Sequence, residues 1–178
     1  MPYDKEIYAT MQNGKIVIMP KFIVSVANCA FCGNPNLGKI KLSNVHVIGE
    51  QAFYGCKRLK EVTFSNCLLK IGVGAFAHCV SLEEISLPDN VRVIEDSAFT
   101  DSGLKRVILP ANIQKLGCKV FSDCRSLQRV CFPSGITEIK KSQNLFENCD
   151  NLISIFVCRD CKIEDGSIPE NCRVFYGA

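Results

Sequence analysis

Ile48-Gly49-Glu50-Gln51-Ala52-Phe53-Tyr54-Gly55-Cys56-Lys57-Arg58-Leu59 returns, position by position, as Ile71-Gly72-Val73-Gly74-Ala75-Phe76-Ala77-His78-Cys79-Val80-Ser81-Leu82. The pattern runs again from Ile94 through Ala98-Phe99 to Leu104, from Leu116 through Phe121 and Cys124 to Leu127, and from Ile139 through Phe146 and Cys149 to Leu152. A degraded first copy runs from Val26 through Ala30-Phe31 to Leu37. The aligned phenylalanines stand at 31, 53, 76, 99, 121 and 146, in steps of 22, 23, 23, 22 and 25 residues. A sustained period of that length marks a stacked repeat, in which each copy is one supersecondary unit.

Each copy continues into Leu-x-x-(Ile/Val)-x-(Leu/Phe/Val), as in Leu59-x-x-Val62-x-Phe64, Leu82-x-x-Ile85-x-Leu87, Leu104-x-x-Val107-x-Leu109 and Leu127-x-x-Val130-x-Phe132. The last three positions alternate in, out, in, as a short strand with one buried face requires. Pro88, Pro110 and Pro133 then end that strand, because proline cannot donate to a ladder. A second apolar pair follows, for example Val91 and Ile94. Between Ala52 and Leu59 the spacing becomes i, i+4, i+7, which predicts one or two helical turns. One such rung cannot bury its apolar face alone, whereas about six stacked rungs share a continuous core. The expected organisation is one solenoid domain: an N-terminal cap over 1–25 (with Val17-Ile18-Met19-Pro20 as a half-repeat), repeats over 26–162, and a closing cap over 163–178.

The unit Ile-Gly-x-x-Ala-Phe-x-x-Cys-x-x-Leu-x-x-Ile-x-Leu-Pro resembles the BspA-like class of leucine-rich repeats, over residues 26 to about 158. That class occurs in bacterial surface proteins and is expanded in parasitic protists. The resemblance implies a curved right-handed leucine-rich repeat solenoid, β-rich, that binds proteins, often as a host-facing adhesin, and carries no catalysis. Three local departures stand out: Ser102 replaces the cysteine, Val120 and Leu145 replace the alanine, and the last repeat has extra residues near Lys141 to Gln143.

Composition narrows the function classes. The 178 residues are 47% hydrophobic, too apolar for a disordered chain. Lys and Arg number 21 against 18 Asp and Glu, a net charge of +3, and the signs are interleaved along every rung. That reads as a solvated face, without the basic excess of a nucleic-acid binder. Twelve cysteines fall short of the roughly 8–10% that marks a disulfide scaffold. Residues 1–20 hold Asp4 and Glu6 where a signal peptide needs a basic region, and no apolar run approaches a membrane span. The expected compartment is the cytoplasm with reduced thiols, the cell surface being the alternative.

Most candidate chemistry reads as structure. Cys29-x-x-Cys32 and Cys158-x-x-Cys161 together resemble a split zinc site, but they stand more than five rungs apart, about 25 Å at the strand spacing. Cys158, Cys161 and Cys172 offer three ligands in the closing cap without a nearby histidine. Cys56, Cys79, Cys124 and Cys149 lie three residues after the phenylalanine and are expected as small buried hydrophobes. Gly33 to Ile40 imitates a phosphate loop, but Ile40 replaces the magnesium-binding hydroxyl and a strand follows Lys39. His46 and His78 occupy outward positions, and a Cys–His nucleophilic pair would need a cleft that a filled solenoid lacks. No metal, cofactor, small-molecule substrate or enzymatic activity is expected.

The outward columns of the strands carry the functional expectation. The column before the central apolar residue reads Lys39, Glu61, Glu84, Arg106, Arg129 and Ser154; the column after it reads Lys41, Thr63, Ser86, Ile108, Cys131 and Phe156. These twelve residues are the predicted partner-binding face. Along the second column the side chains change from polar to apolar, so Ile108, Cys131 and Phe156 should form a strip with Phe156 as anchor and Arg106 and Arg129 at the rim. The alternative is that the closing cap covers the strip. The expected function is an intracellular protein-binding scaffold or assembly subunit, with a cytoskeletal or large-complex partner plausible for so small a chain. A surface adhesin is the alternative.

Overall fold

The computed structural model describes residues 15–177. The strand-forming segments are short because each rung has only a few residues before it must turn, and their alternating burial follows the sequence. Along the front face lie β1 (Ile16–Met19), β3 (Lys39–Leu42), β5 (Glu61–Phe64), β8 (Arg106–Ile108), β10 (Arg129–Cys131), β12 (Ser154–Cys158) and β14 (Arg173–Gly177). A second face carries the two-residue strands β2 (Ser25–Val26), β4 (Val47–Ile48), β6 (Lys70–Ile71), β7 (Val93–Ile94), β9 (Lys115–Leu116), β11 (Glu138–Ile139) and β13 (Lys162–Ile163). Every pairing is parallel, each rung with its neighbours, so the chain is a solenoid. The half-repeat expected at Val17–Met19 is β1, in register with β3; residues 1–14 of the expected N-terminal cap lie outside the described residues.

The front ladder is interrupted once. It runs β1-β3-β5 and then β8-β10-β12-β14, and the segment between, expected as a strand over Leu82–Leu87, keeps a single bridge from Glu84 to Arg106. In the repeat register Glu84 would stand opposite Glu61 on one side and Arg106 on the other. The bridge survives on the arginine side. The second ladder breaks between β9 and β11. There the extra residues of the last repeat form a short 3-10 turn, Lys141–Gln143, and the Gln143 side chain donates to the Leu116 carbonyl at 3.1 Å.

Apart from the 3-10 turn Lys141–Gln143, the segment after each second-face strand is not helical, contrary to the spacing argument. Each copy holds two left-handed residues that flank the phenylalanine at two positions before and two after, for example Gln51 (φ 52°) and Gly55 (φ 67°), Ser97 (φ 55°) and Asp101 (φ 52°), or Asn144 (φ 47°) and Asn148 (φ 58°). Left-handed residues every four positions break a helix. Successive tight turns replace it, and alternate N–H groups reach across to the next rung: those of Gln51, Phe53 and Gly55 donate to the carbonyls of Val73, Ala75 and Ala77. The later column, Gly33, Gly55, His78, Asp101, Asp123 and Asn148, is rich in the residue types that tolerate this conformation.

Two of the core's internal columns link the rungs most directly. Phe31, Phe53, Phe76, Phe99, Phe121 and Phe146 stack in sequence at centroid distances of 5.2, 5.0, 5.5, 5.9 and 6.1 Å, with ring planes within 9° of parallel. Beside them the buried thiols of Cys56, Cys79, Cys124 and Cys149 donate to the carbonyls of Phe31, Phe53, Phe99 and Phe121 at 3.0, 3.2, 3.1 and 2.9 Å. The expected buried hydrophobes are therefore also hydrogen-bond donors between rungs. Ser102 holds the cysteine position in its own rung and contacts the Cys124 sulfur at 3.3 Å.

Candidate protein-interaction face

A strand with one buried face must present its other side chains outward, and the front sheet does so in two columns. Lys39, Glu61, Glu84, Arg106 and Arg129 are exposed in the first; Lys41, Thr63, Ser86, Ile108 and Phe156 are exposed in the second, with Cys131 half-buried among them. Ser154 departs from the prediction. It is buried at 5% exposure, because its small side chain stands in register between Arg129 and Arg173 on the flanking strands. It is not available to a partner.

Beyond β1, the N-terminal half of this face is polar. Lys39 and Glu61, neighbours across β3 and β5, form an ion pair at 2.7 Å, and farther along Lys105, just before β8, pairs with Glu83 of the preceding rung. The C-terminal half is apolar. Ile108 is 71% exposed, Phe156 40% and Phe175 45%, and Cys131 completes the row between Ile108 and Phe156. Four adjacent rungs at the usual strand spacing make this strip about 14 Å long. Phe156 and Phe175 stack at 4.9 Å. Arg106, Arg129 and Arg173 occupy the neighbouring column and put a row of guanidinium groups along one side of the strip.

The closing segment does not fold over the strip. It adds β14 alongside β12 in parallel register, from Ser154 with Arg173 to Cys158 with Gly177, and so lengthens the strip by one rung. Arg173 and Phe175 were missed from the sequence although the signal was present: Arg173-Val174-Phe175 repeats Arg106-Val107-Ile108 and Arg129-Val130-Cys131. The short spacing from β12 to β14, without an intervening Ala-Phe-x-x-Cys, hid the alignment. Ile16 and Ile18 of β1, each 66% exposed, occupy the same two columns at the other end.

The other candidates separate as the repeat geometry demands. Cys29 and Cys32 are exposed on the first rung, and Cys158 and Cys161 lie at the last. Among the described residues no three His, Cys, Asp or Glu side chains are grouped to hold a metal ion. Lys39, the phosphate-loop lysine, opens a strand and is committed to Glu61, while Leu37 and Ile40 are core residues. His78 contacts Asp101 at 2.8 Å and meets Tyr54 edge-on at 4.9 Å, with no thiol partner in that contact; His46 is exposed. Burial pushes the thiols of Cys56 and Cys149 up to about 11 and about 12, and raises those of Cys79 and Cys124, so these four are poor nucleophiles. No helix among the described residues is long and apolar enough to cross a membrane.

Six copies of the BspA type leucine rich repeat region match the chain, over residues 4–105 and 46–175. Among solved structures, the leucine rich repeat protein of T. pallidum is 31% identical with a TM-score of 0.78, over 89% of this chain and 79% of that one. A leucine-rich repeat protein from Bacteroides ovatus is 25% identical with a TM-score of 0.74, and the pneumococcal vaccine antigen PcpA is 26% identical with a TM-score of 0.66. The alignments cover 90% and 93% of this chain but 47% and 37% of those two proteins. No curated protein matches the chain significantly.

Proposed function

The chain belongs to the BspA-type leucine-rich repeat family, and from that premise we propose that it is a non-catalytic scaffold that docks a protein segment on the C-terminal half of its front face. The observation that carries this reading is the exposed strip of Ile108, Cys131, Phe156 and Phe175 beside Arg106, Arg129 and Arg173. A contiguous exposed apolar row is unusual on a solvated surface, and aromatic and arginine side chains are the types that carry binding energy. The arginine row selects a partner segment that presents carboxylates beside apolar anchors, because guanidinium groups pair with carboxylates bidentately. The proposed site is therefore Arg106, Ile108, Arg129, Cys131, Arg173, Phe156 and Phe175. The polar residues Lys39, Lys41, Glu61, Thr63, Glu84 and Ser86 set register and exclude wrong partners.

The thiols bear on the compartment. Four buried cysteines each use their S–H as a donor to a carbonyl, an arrangement that needs them reduced and so supports an intracellular scaffold. A second reading, a surface-exposed binding protein, draws on the likeness to a pneumococcal vaccine antigen. Alkylation of cysteines in the protein as isolated from its native cells separates the two: free thiols throughout support the first, and defined disulfides in the core the second.

The test of the docking face is selection of displayed random peptides on the whole chain. Enriched sequences should combine Asp or Glu with large apolar residues. They should lose binding at least tenfold when Ile108→Asp and Phe156→Asp are combined, with the melting temperature nearly unchanged. Peptides that bind the double variant as tightly as the parent overturn the assignment.

A further inference from the structure

The second Cys-x-x-Cys pair closes the corner between the two strands of the last repeat. β12 ends on Cys158 and β13 begins just after Cys161. The Cys161 N–H donates to the Cys158 carbonyl at 3.1 Å, so Cys158-Arg159-Asp160-Cys161 is a tight four-residue turn. Such a turn keeps its end Cα atoms within about 7 Å, and a disulfide needs roughly 4.4–6.8 Å. Each sulfur makes only a long contact with a carbonyl, Cys158 with Ile136 at 3.8 Å and Cys161 with Lys162 at 3.9 Å. Their surroundings differ. Cys161 is buried at 6% exposure, and burial first, then the neighbouring Cys158, pushes its thiol up; Cys158 is only half-buried.

The remaining cysteines lack this combination. Cys29 and Cys32 share the same turn bond, at 3.1 Å, but both are exposed and the Cys29 sulfur points to the Gln51 side chain of the next rung, 3.7 Å away. The core thiols are held to their carbonyls at 3.0, 3.2, 3.1 and 2.9 Å, well inside the 3.8 and 3.9 Å contacts of Cys158 and Cys161. A third ligand that would favour a metal is missing from the described residues around Cys158 and Cys161, and structural zinc sites use four.

We propose that Cys158 and Cys161 are a reversible dithiol–disulfide couple whose co-reactant is a small-molecule disulfide such as glutathione disulfide. The more accessible Cys158, as thiolate, attacks one sulfur of glutathione disulfide; a mixed disulfide forms and one glutathione thiolate leaves. Cys161 then gives up its proton and attacks the Cys158 sulfur, forming the internal disulfide and releasing the second glutathione. Two protein thiols are oxidised, one glutathione disulfide is reduced to two thiols, and glutathione at higher concentration reverses both steps. Oxidation ties the end of β12, two residues beyond Phe156, to the start of β13. This couple is independent of the docking proposal, and neither stands or falls with the other.

The test equilibrates the full chain anaerobically in glutathione buffers of increasing oxidised fraction, quenches with alkylating agent and maps the peptides. The parent should form a Cys158–Cys161 disulfide and retain little glutathione there. Cys161→Ser should retain glutathione on Cys158, at several times the parent level, because the resolving thiol is gone. Cys158→Ser should leave Cys161 reduced. In the oxidised parent, amide exchange over residues 154–163 should slow. Retention of glutathione on Cys158 in the parent at the level of the Cys161→Ser chain overturns the proposal. So does modification of Cys161 in Cys158→Ser as fast as of Cys158 in Cys161→Ser. The parent map decides the matter alone if either serine variant fails to fold.

Discussion

The thiol of Cys79 donates to the backbone carbonyl of Phe53, 3.2 Å away on the preceding rung. The same link recurs at Cys56, Cys124 and Cys149, so the two residues that define the repeat motif, phenylalanine and cysteine, are coupled between rungs as well as within them. The phenylalanine supplies the apolar area, and the cysteine ties its backbone to the next copy.

Cys79→Ala should cost about 1–2 kcal/mol, from a lost hydrogen bond and a small void. Cys79→Ser should cost less, because Ser102 already serves at this position in one rung. Chemical denaturation of the three proteins checks the order. In the native parent, a thiol reagent should modify exposed Cys29, Cys32 and Cys118 quickly and the four core cysteines only on unfolding, as their burial and raised pKa values require.

Phe76 stacks between Phe53 and Phe99 at 5.0 and 5.5 Å and meets Phe64 edge-on at 6.2 Å, fully buried. Phe76→Ala should therefore destabilise the chain by about 3–5 kcal/mol. An unchanged denaturant midpoint would contradict the stacked column.

Gly72 is one of the corners where the backbones of two rungs approach closely. A Cβ there would lie 2.8 Å from the Gly49 carbonyl carbon and 2.9 Å from the Glu50 nitrogen. Gly72→Ala must push rungs apart and should cost about 1–3 kcal/mol, read as a drop in melting temperature. Alanine at open Gly33, where nothing lies within 4 Å, meets only its left-handed backbone (φ 66°) and should cost less.

Glu95 takes the corner position that Gly72 and Gly117 hold in the rungs on either side, and its carboxylate bridges Lys115 at 2.7 Å and Lys70 at 3.0 Å. The hydrogen bond from Lys115, followed by that from Lys70, holds its carboxyl below the usual carboxylate range. A folded-state value below the unfolded one means that the folded chain binds fewer protons. The contribution is thus complete above the unfolded value and is lost as pH falls through the folded one. Melting of the parent should fall more steeply than that of Glu95→Gln between about pH 5 and about pH 3. At neutral pH the variant should lose no more than about 1 kcal/mol, since the lysines are solvent-exposed.

Removing residues 164–178 strips β14 from β12, where it makes five register pairs. The truncated chain should expose the β12 edge with Ile155 and Val157 beneath it and should aggregate on concentration, seen by light scattering. A soluble truncation with the parent's melting temperature would show that the segment does not close the stack.

The sequence alone determined the rung. A period of 22–25 residues, alternating burial and proline stops admit one architecture, because no single copy can bury its apolar face. It also determined which side chains face outward on the strands, since a two-residue alternation leaves no freedom. The tertiary structure decided what depends on neighbours. Ser154 is hidden because long arginines stand on both sides of it, a fact about the flanking strands that its own rung does not carry. The segment around Phe53 is turns instead of helix because its N–H groups find carbonyls on the next rung, which the i, i+4, i+7 pattern cannot register. Whether the closing segment would cover or extend the strip of Ile108, Cys131 and Phe156 depended on where β14 docks, and the parallel register with β12 placed Phe175 at its end.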